Sequence, residues 1–371
     1  MTEAASLAVT LRAVTDWEAL GAQWRELEAR ADLSFFQSWS WIGCLGQERY
    51  GDPVLLEARS DERTVALGLF NRRRGWLLDT LWLHETGNPQ WDVLFIEHNG
   101  LIIEAGADAT LRTACLTGSR HGRLPAARTA LLGQRVVLAG VDSMHVAAAC
   151  ATGPIIRRLT RVAPMLDLAA LRRRGLGHLD ALSANTRAQI RRSLRRYARL
   201  GPLHIERADD APSAHAFLDA LAELHQSTWQ RRGRPGAFAN PRFARFHHAL
   251  IDRALPRGEV DLLRVVAGST VIGYLYNFRY RGRVLAYQSG FDYAAPDRAR
   301  KPGLTCHHLA IERSLSEGCE VYDFLAGDDR YKRSLADGQT KLHWVTLGPM
   351  LDPGRLPTTV RRWLRADRRN S

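Results

Sequence analysis

Lysine is nearly absent from this chain. Its 371 residues hold 52 Lys+Arg, and only Lys301, Lys332 and Lys341 are lysine. Cysteine is scarce too. Cys44, Cys115, Cys150, Cys306 and Cys319 are odd in number and scattered, with no CxxC or CxxH spacing. That excludes a disulfide scaffold and gives no sign of a metal site. Long apolar runs are missing as well: the most apolar long window, residues 136–156, is broken by Asp142, His145, Gly153 and Pro154, poor material for a membrane span. The start carries Glu3 and no basic region followed by an apolar core. The expectation is a cytoplasmic protein, with any membrane contact peripheral and made through arginine-rich segments. Walker A, dinucleotide-type glycine, GxSxG and HExxH patterns do not occur, so kinase, dehydrogenase, serine-hydrolase and zinc-protease readings lose support.

What is present is an arginine excess in two places. Residues 171–200 hold nine arginines and one acid, and residues 355–371 hold six and one, so these stretches carry the whole formal charge of +13. The remainder is neutral. A coding bias accounts for arginine over lysine, and the charge points to local anion contacts rather than a general affinity for nucleic acid.

The hydrophobic pattern predicts an α+β chain. Residues 7–14 read as a strand, and Asp16 caps a helix with Trp17, Leu20, Trp24 and Leu27 on one face. Phe35-Phe36-Gln37-Ser38 precedes a second helix. Strand-like runs follow at 54–58, 64–71, 76–83, 91–96 and 134–138, with a helix at 107–119. Ser183 caps a helix that stops at Gly201-Pro202, with Arg187, Arg191 and Arg195 on one face at i+4 spacing. The order then repeats: a strand at 203–207, helices at 212–231 and 243–254, a three-strand meander over 260–291, a helix from Gly303, a strand at 321–325, a helical turn at 331–335 and a closing strand at 342–347.

Several segments of this layout carry a resemblance. They are Phe35-Phe36-Gln37-Ser38 with Trp39 and Trp41; Ser183, Arg187, Ile190, Arg191 and Arg192; His225 to Gly233; residues 287–292; Pro302-Gly303-Leu304; and the most specific block, Tyr322-Asp323-Phe324-Leu325-Ala326-Gly327-Asp328-Asp329-x-Tyr331-Lys332. Together they resemble GNAT acyltransferases of the CelD-like or BioF-like branch, relatives of the FemABX peptidoglycan-bridge transferases. The resemblance implies two tandem GNAT-like domains with mixed, largely antiparallel sheets flanked by helices. The expected division is a degenerate domain at 1–165, an Arg-rich connecting helix at 166–202, the acyltransferase domain at 203–350 and a basic tail at 351–371. It also implies acyl transfer from acetyl-CoA or another acyl-CoA, without a metal, to an amine or hydroxyl of a small-molecule or sugar-linked acceptor in the cleft between the domains. Envelope and exopolysaccharide roles are common in that branch. In the FemABX relatives the donor is a charged transfer RNA, the one route by which nucleic acid enters. A non-catalytic binding protein on a decayed lobe is a further alternative.

Each candidate residue has a plain reading beside the functional one. A pyrophosphate needs helix-start N–H groups with positive charge nearby. Arg298, Arg300, Lys301, Gly303, Leu304 and Thr305 offer these, or form an ordinary loop and helix start. Arg300-x-x-Gly303 fits the first half of the GNAT phosphate signature, while Thr305 stands where that signature has glycine or alanine. Gln288 and Ser289 lie on the strand that lines the donor site in GNAT folds, with Tyr287 beside them as an acceptor contact. Asp323, Asp328 and Asp329 are candidate bases, or a satisfied carboxylate and helix caps. Tyr331 can protonate a leaving thiolate or simply pack. The FemABX resemblance gives Lys332 a functional role, against an exposed helix lysine. Arg187, Arg191, Arg195 and Trp229 are substrate-binding candidates, against ion-paired arginines and a core tryptophan. His225, His307 and His308 read as solvent-facing or core histidines rather than bases.

Overall fold

The computed structural model describes residues 7–75, 78–124, 134–294, 297 and 299–349. Its contacts divide the chain into two compact units: residues up to Thr160 with those from Leu342 onward, and Arg161–Lys341. The basic tail expected at 351–371 and Arg298 lie outside the described residues.

The first unit runs β1 (Leu7–Ala13), α1 (Trp17–Glu28), α2 (Trp39–Arg49), β2 (Pro53–Ser60), β3 (Arg63–Arg73), β4 (Thr80–Leu83), β5 (Ile102–Ile103), α3 (Ala109–His121), β6 (Arg135–Val141) and α4 (Ser143–Thr152). β7 (Ile155–Asp167) carries the chain into the second unit: α5 (Leu168–Arg173), α6 (His178–Ala181), α7 (Ala184–Tyr197), β8 (Leu203–Arg207), α8 (Ala211–Arg231), α9 (Pro241–Ala254), β9 (Val260–Ala267), β10 (Thr270–Tyr280), β11 (Arg283–Phe291), α10 (Pro302–Ser316), β12 (Val321–Asp323) and α11 (Arg330–Leu335); β13 (Gly338–Leu347) then returns it to the first.

The two units are built alike. In the first unit the order is β1-β2-β3-β4-β6-β13, and in the second β8-β9-β10-β11-β12-β7. Each meander is antiparallel and ends on one parallel pair, β4 with β6 and β11 with β12. Helices follow the same positions in both, so the α+β class and the duplication expected from the sequence are present. The last strand departs from expectation. The sequence places residues 342–347 in the second domain, but β13 pairs with β6 of the first, Val345 opposite Leu138. β7 in turn pairs with β12, Tyr322 opposite Leu166. The edge of each parallel strand needs backbone partners, and a strand from elsewhere in the chain supplies them.

Local rules explain most starts. The Asp16 carboxylate accepts from Glu18 and Ala19 N–H at 2.9 Å each, and Ser183 Oγ from Thr186 N–H at 3.3 Å. Phe35-Phe36-Gln37-Ser38 is a capped turn: Ser34 Oγ accepts from Phe36 N–H, and the Gln37 carboxamide accepts from Ser34 N–H and donates to Leu101 O. It seats Trp24, whose indole N–H donates to Gln37 O at 3.0 Å. Trp24, Trp39 and Trp41 are buried with Phe35 and Phe36, so these tryptophans pack a core. The strand expected at 91–96 is absent. Asp92 accepts from Thr86 N–H and Oγ at 2.7 Å, and Phe95 and His98 take left-handed φ of 50° and 47°, so the segment folds on its own polar groups instead of a ladder.

Candidate functional site

In the second unit β11 and β12 pair only from Arg283 to Leu285 against Val321 to Asp323. Past that point they part. β11 continues to Phe291 along β10, while Phe324 N–H turns to Pro164 O and Gly327 N–H to Val162 O. No strand pairs with residues 286–291 on the β12 side among the described residues. β11 also carries a bulge: Tyr276 faces Gln288 and Asn277 faces Ala286, which leaves Tyr287 as the extra residue. The Tyr287 side chain itself enters an aromatic cluster with Phe243, His247, Tyr276 and Phe278. Its acceptor-contact reading thus gives way to packing.

The first turn of α10 follows β11. Helix geometry leaves the N–H groups of Gly303 and Leu304 without intrahelical acceptors, and the Lys301 cap position supplies no side-chain bond. Arg300 lies over the Tyr197 ring at 5.6 Å and 3.9 Å from Asp297, which Arg196 also approaches at 3.8 Å. Thr305 is fully buried, its Oγ1 2.8 Å from Ser193 Oγ, which accepts Lys301 N–H at 2.8 Å. The residue that departs from the phosphate signature is therefore turned onto α7. A Cβ on Gly303 would sit 3.2 Å from the Phe291 ring and the Tyr293 hydroxyl. The corresponding helix of the first unit is closed by its own acid: the Asp108 carboxylate accepts from Thr110 and Leu111 N–H at 2.9 and 3.1 Å. The two halves thus differ at the position where a phosphate would sit.

Residues 322–332 form the other side of the parting. Asp323 is fully buried; Oδ1 accepts from Leu325 N–H at 2.8 Å and Oδ2 from Arg283 at 3.1 Å. Those bonds hold Leu325 at φ 60°, so Asp323 fixes the backbone. Lys332 is 9% exposed, not the surface lysine of the plain reading; its ammonium donates to Leu325 O at 3.2 Å and Ala326 O at 2.9 Å. Asp328 is exposed and ion-paired with Arg333. Asp329 is exposed at the start of α11 and makes no cap bond. Tyr331, 38% exposed, stacks on His307 with ring centres 5.4 Å apart. Burial of its hydroxyl, then the Asp329 charge, raises its pKa above the ordinary phenol value, so it stays protonated.

His307 is a core histidine, one of the readings its sequence allowed. It is 2% exposed, its Nδ1 lies 3.3 Å from the Tyr322 hydroxyl, and its Nε2 has no hydrogen-bond partner among the described residues. Burial, then the Lys332 charge, pushes its pKa down to about 3. Behind it, His178 and His308 share a 3.1 Å Nδ1···Nδ1 contact, and burial lowers both below the ordinary imidazole value. These three rings are neutral in the folded state and protonate readily once unfolded. The unfolded state therefore binds more protons below about pH 6.5, and stability falls as pH drops from there toward 4. We expect the thermal midpoint to be lower at pH 5 than at pH 7 in calorimetry; equal midpoints would contradict the buried neutral rings.

The remaining candidates are dispersed. Ser289 O accepts from His225 Nδ1 at 3.1 Å, and His225 Nε2 accepts Ala237 N–H at 3.3 Å, so that histidine ties β11 to the loop after α8. Gln288 continues the β11 edge. Trp229 is half-buried beside His225 with Arg232 over its ring. Arg187 is half-buried, and Arg191 and Arg195 are exposed. Among the described residues no helix is long and apolar enough to cross a membrane.

Comparison with known proteins agrees with this layout. Residues 184–333 match the family model Acetyltransf_6, an acetyltransferase (GNAT) domain. The matched stretch runs from α7 into α11 and includes β11, the start of α10 and the 322–332 block. No curated protein matches the chain significantly in sequence. Among solved structures, FemX is similar at a TM-score of 0.59 and 10% identity, covering 95% of this chain and 99% of its own. L-PGS from Bacillus licheniformis is similar at 0.53 and 11%, covering 95% and 96%. The C-terminal domain of a protein described as a lysylphosphatidylglycerol synthetase, from Agrobacterium fabrum, is similar at 0.51 and 11%, covering 94% and 95%. At these identities the likeness is one of fold.

Proposed function

We propose that the chain transfers an acyl group from an acyl-CoA, acetyl-CoA first, to an amine or hydroxyl of a sugar-linked acceptor of the envelope or exopolysaccharide type. The observation that carries this reading is the uncapped N-terminus of α10 beside the parted β11 and β12, in the half that matches the GNAT model. The residues present fit the donor's phosphates. Gly303 and Leu304 N–H groups with Arg300 and Lys301 would hold them, and Thr305 is turned away. The thioester supplies the activated acyl group. Around it, the free β11 edge orients the donor, Asp329 accepts the acceptor's proton, and Tyr331, protonated, returns one to the departing thiolate. Lys332 and Asp323 set the turn that carries both, which makes them positioning residues.

A second reading keeps the fold and changes the donor to aminoacyl-tRNA. Its support is the exposed Arg191, Arg192 and Arg195, which form no ion pair among the described residues, together with the whole-chain likeness to FemX. Calorimetric titration with CoA and with tRNA separates the two. The first reading expects saturable CoA binding with little salt dependence. Absence of CoA binding at millimolar ligand would overturn it, and tRNA binding that falls steeply with salt and needs Arg191 and Arg195 would install the second.

A further inference from the structure

The two helices that follow β8 carry a constellation that acyl transfer does not use. On α8, His215 and Asp219 stand at i,i+4; on α9, His248 and Asp252 do the same. The pairs are crossed. His215 Nε2 is 2.7 Å from Asp252 Oδ1, and His248 Nε2 is 3.0 Å from Asp219 Oδ1. The ring planes are 29° apart with centres 4.7 Å apart, and their Nδ1 atoms meet edge to edge at 2.6 Å.

The carboxylates decide the tautomers. A carboxylate at hydrogen-bond distance needs a donor, so each ring carries its proton on Nε2. Each Nδ1 then presents a lone pair to the other. Two lone pairs at that distance repel unless a positive centre lies between them, and only a proton or a metal ion can fill the role. An imidazole whose far N–H donates to a carboxylate is the arrangement that orients histidine ligands and raises their basicity in metal sites.

We infer that His215 and His248 form a binding site for a divalent transition-metal cation of the zinc class, oriented by Asp252 and Asp219 and completed by water. Among the described residues no group of three or more His, Cys, Asp or Glu is arranged to hold a metal; this site needs two ring nitrogens, and solvent supplies the rest. At zinc–nitrogen distances near 2.0 Å, tetrahedral geometry places two ligating nitrogens about 3.3 Å apart. The rings therefore open by less than 1 Å, and both side chains are partly solvent-exposed. Binding replaces the bridging proton, which leaves to buffer, and pins α8 to α9. The site is independent of the proposed donor pocket.

The test is calorimetric titration of the untagged full chain with Zn2+ alone, in two buffers of different ionisation enthalpy. The expected result is one saturable Zn2+ per chain with proton release, abolished in His215→Ala and in His248→Ala. Asp219→Asn keeps both ligands and should weaken binding by about tenfold or more. Thermal melts in a chelator establish that each variant is folded. Zn2+ binding that is unchanged in both alanine variants, or absent in the wild type, would overturn the proposal and leave the pair as a shared-proton contact.

Discussion

Lys332→Met should cost both turnover and stability. The wild-type ammonium donates to two carbonyls in a buried place, Leu325 O and Ala326 O. Methionine fills similar volume but donates nothing, and buried acceptors without donors cost about 1–3 kcal/mol. The melting midpoint should drop accordingly. The freed turn carries Asp329 and Tyr331, the acid–base pair proposed above, and displacement of reacting groups by about 1 Å can reduce rate by about 100-fold. Lys332→Arg should not rescue, because a planar fork does not fit where a compact ammonium is 9% exposed. A further readout separates this account from mere unfolding. Removing the Lys332 charge lifts one of the two causes that depress His307, so the His307 pKa, followed by NMR, should rise while burial still holds it below the ordinary value. A variant with normal turnover and an unmoved His307 would refute the positioning role.

Gly303→Val should weaken donor affinity as well as cost stability. The new Cβ meets the Phe291 ring and the Tyr293 hydroxyl at 3.2 Å. That contact forces the aromatic wall or the helix start to give, typically at about 1–3 kcal/mol. If the give occurs in the first turn of α10, the donor's KM rises by about tenfold or more, one decade per 1.4 kcal/mol, with a smaller change in kcat. The matched control lies in the first unit. Asp108→Ala removes the acid that closes α3; it should lower stability by about 1 kcal/mol as a lost cap and leave donor kinetics alone.

The order of elements was legible from periodicity and caps, because β11, α10 and the residues from Tyr322 to Lys332 each carry strong local signals. The last strand was not. Its alternation marks residues 342–347 as a strand, but nothing local tells which sheet edge lacks a partner, and β6 claims it. The strand expected at 91–96 failed for the opposite reason: Asp92 and Thr86 satisfy the loop's polar groups locally and outcompete a ladder. At the site, Gly303, Arg300 and the Asp323 to Lys332 block could be picked out by sequence, but their roles depend on what each side chain meets. Asp323 turned out to hold a left-handed leucine, Lys332 to hold carbonyls, and Tyr287 to sit in a core. Thr305 departed from the expected signature only because Ser193, more than a hundred residues earlier, receives it. That pairing exists only in three dimensions, as does the stack of Tyr331 on His307.

The most direct test of the donor-site assignment is hydrogen exchange of the full chain with and without millimolar CoA. The account predicts slowed exchange at residues 286–291 and at the first turn of α10, Gly303 to Thr305, with α3 unaffected. No change at either place, or slowing at Thr110 and Leu111 instead, would contradict it.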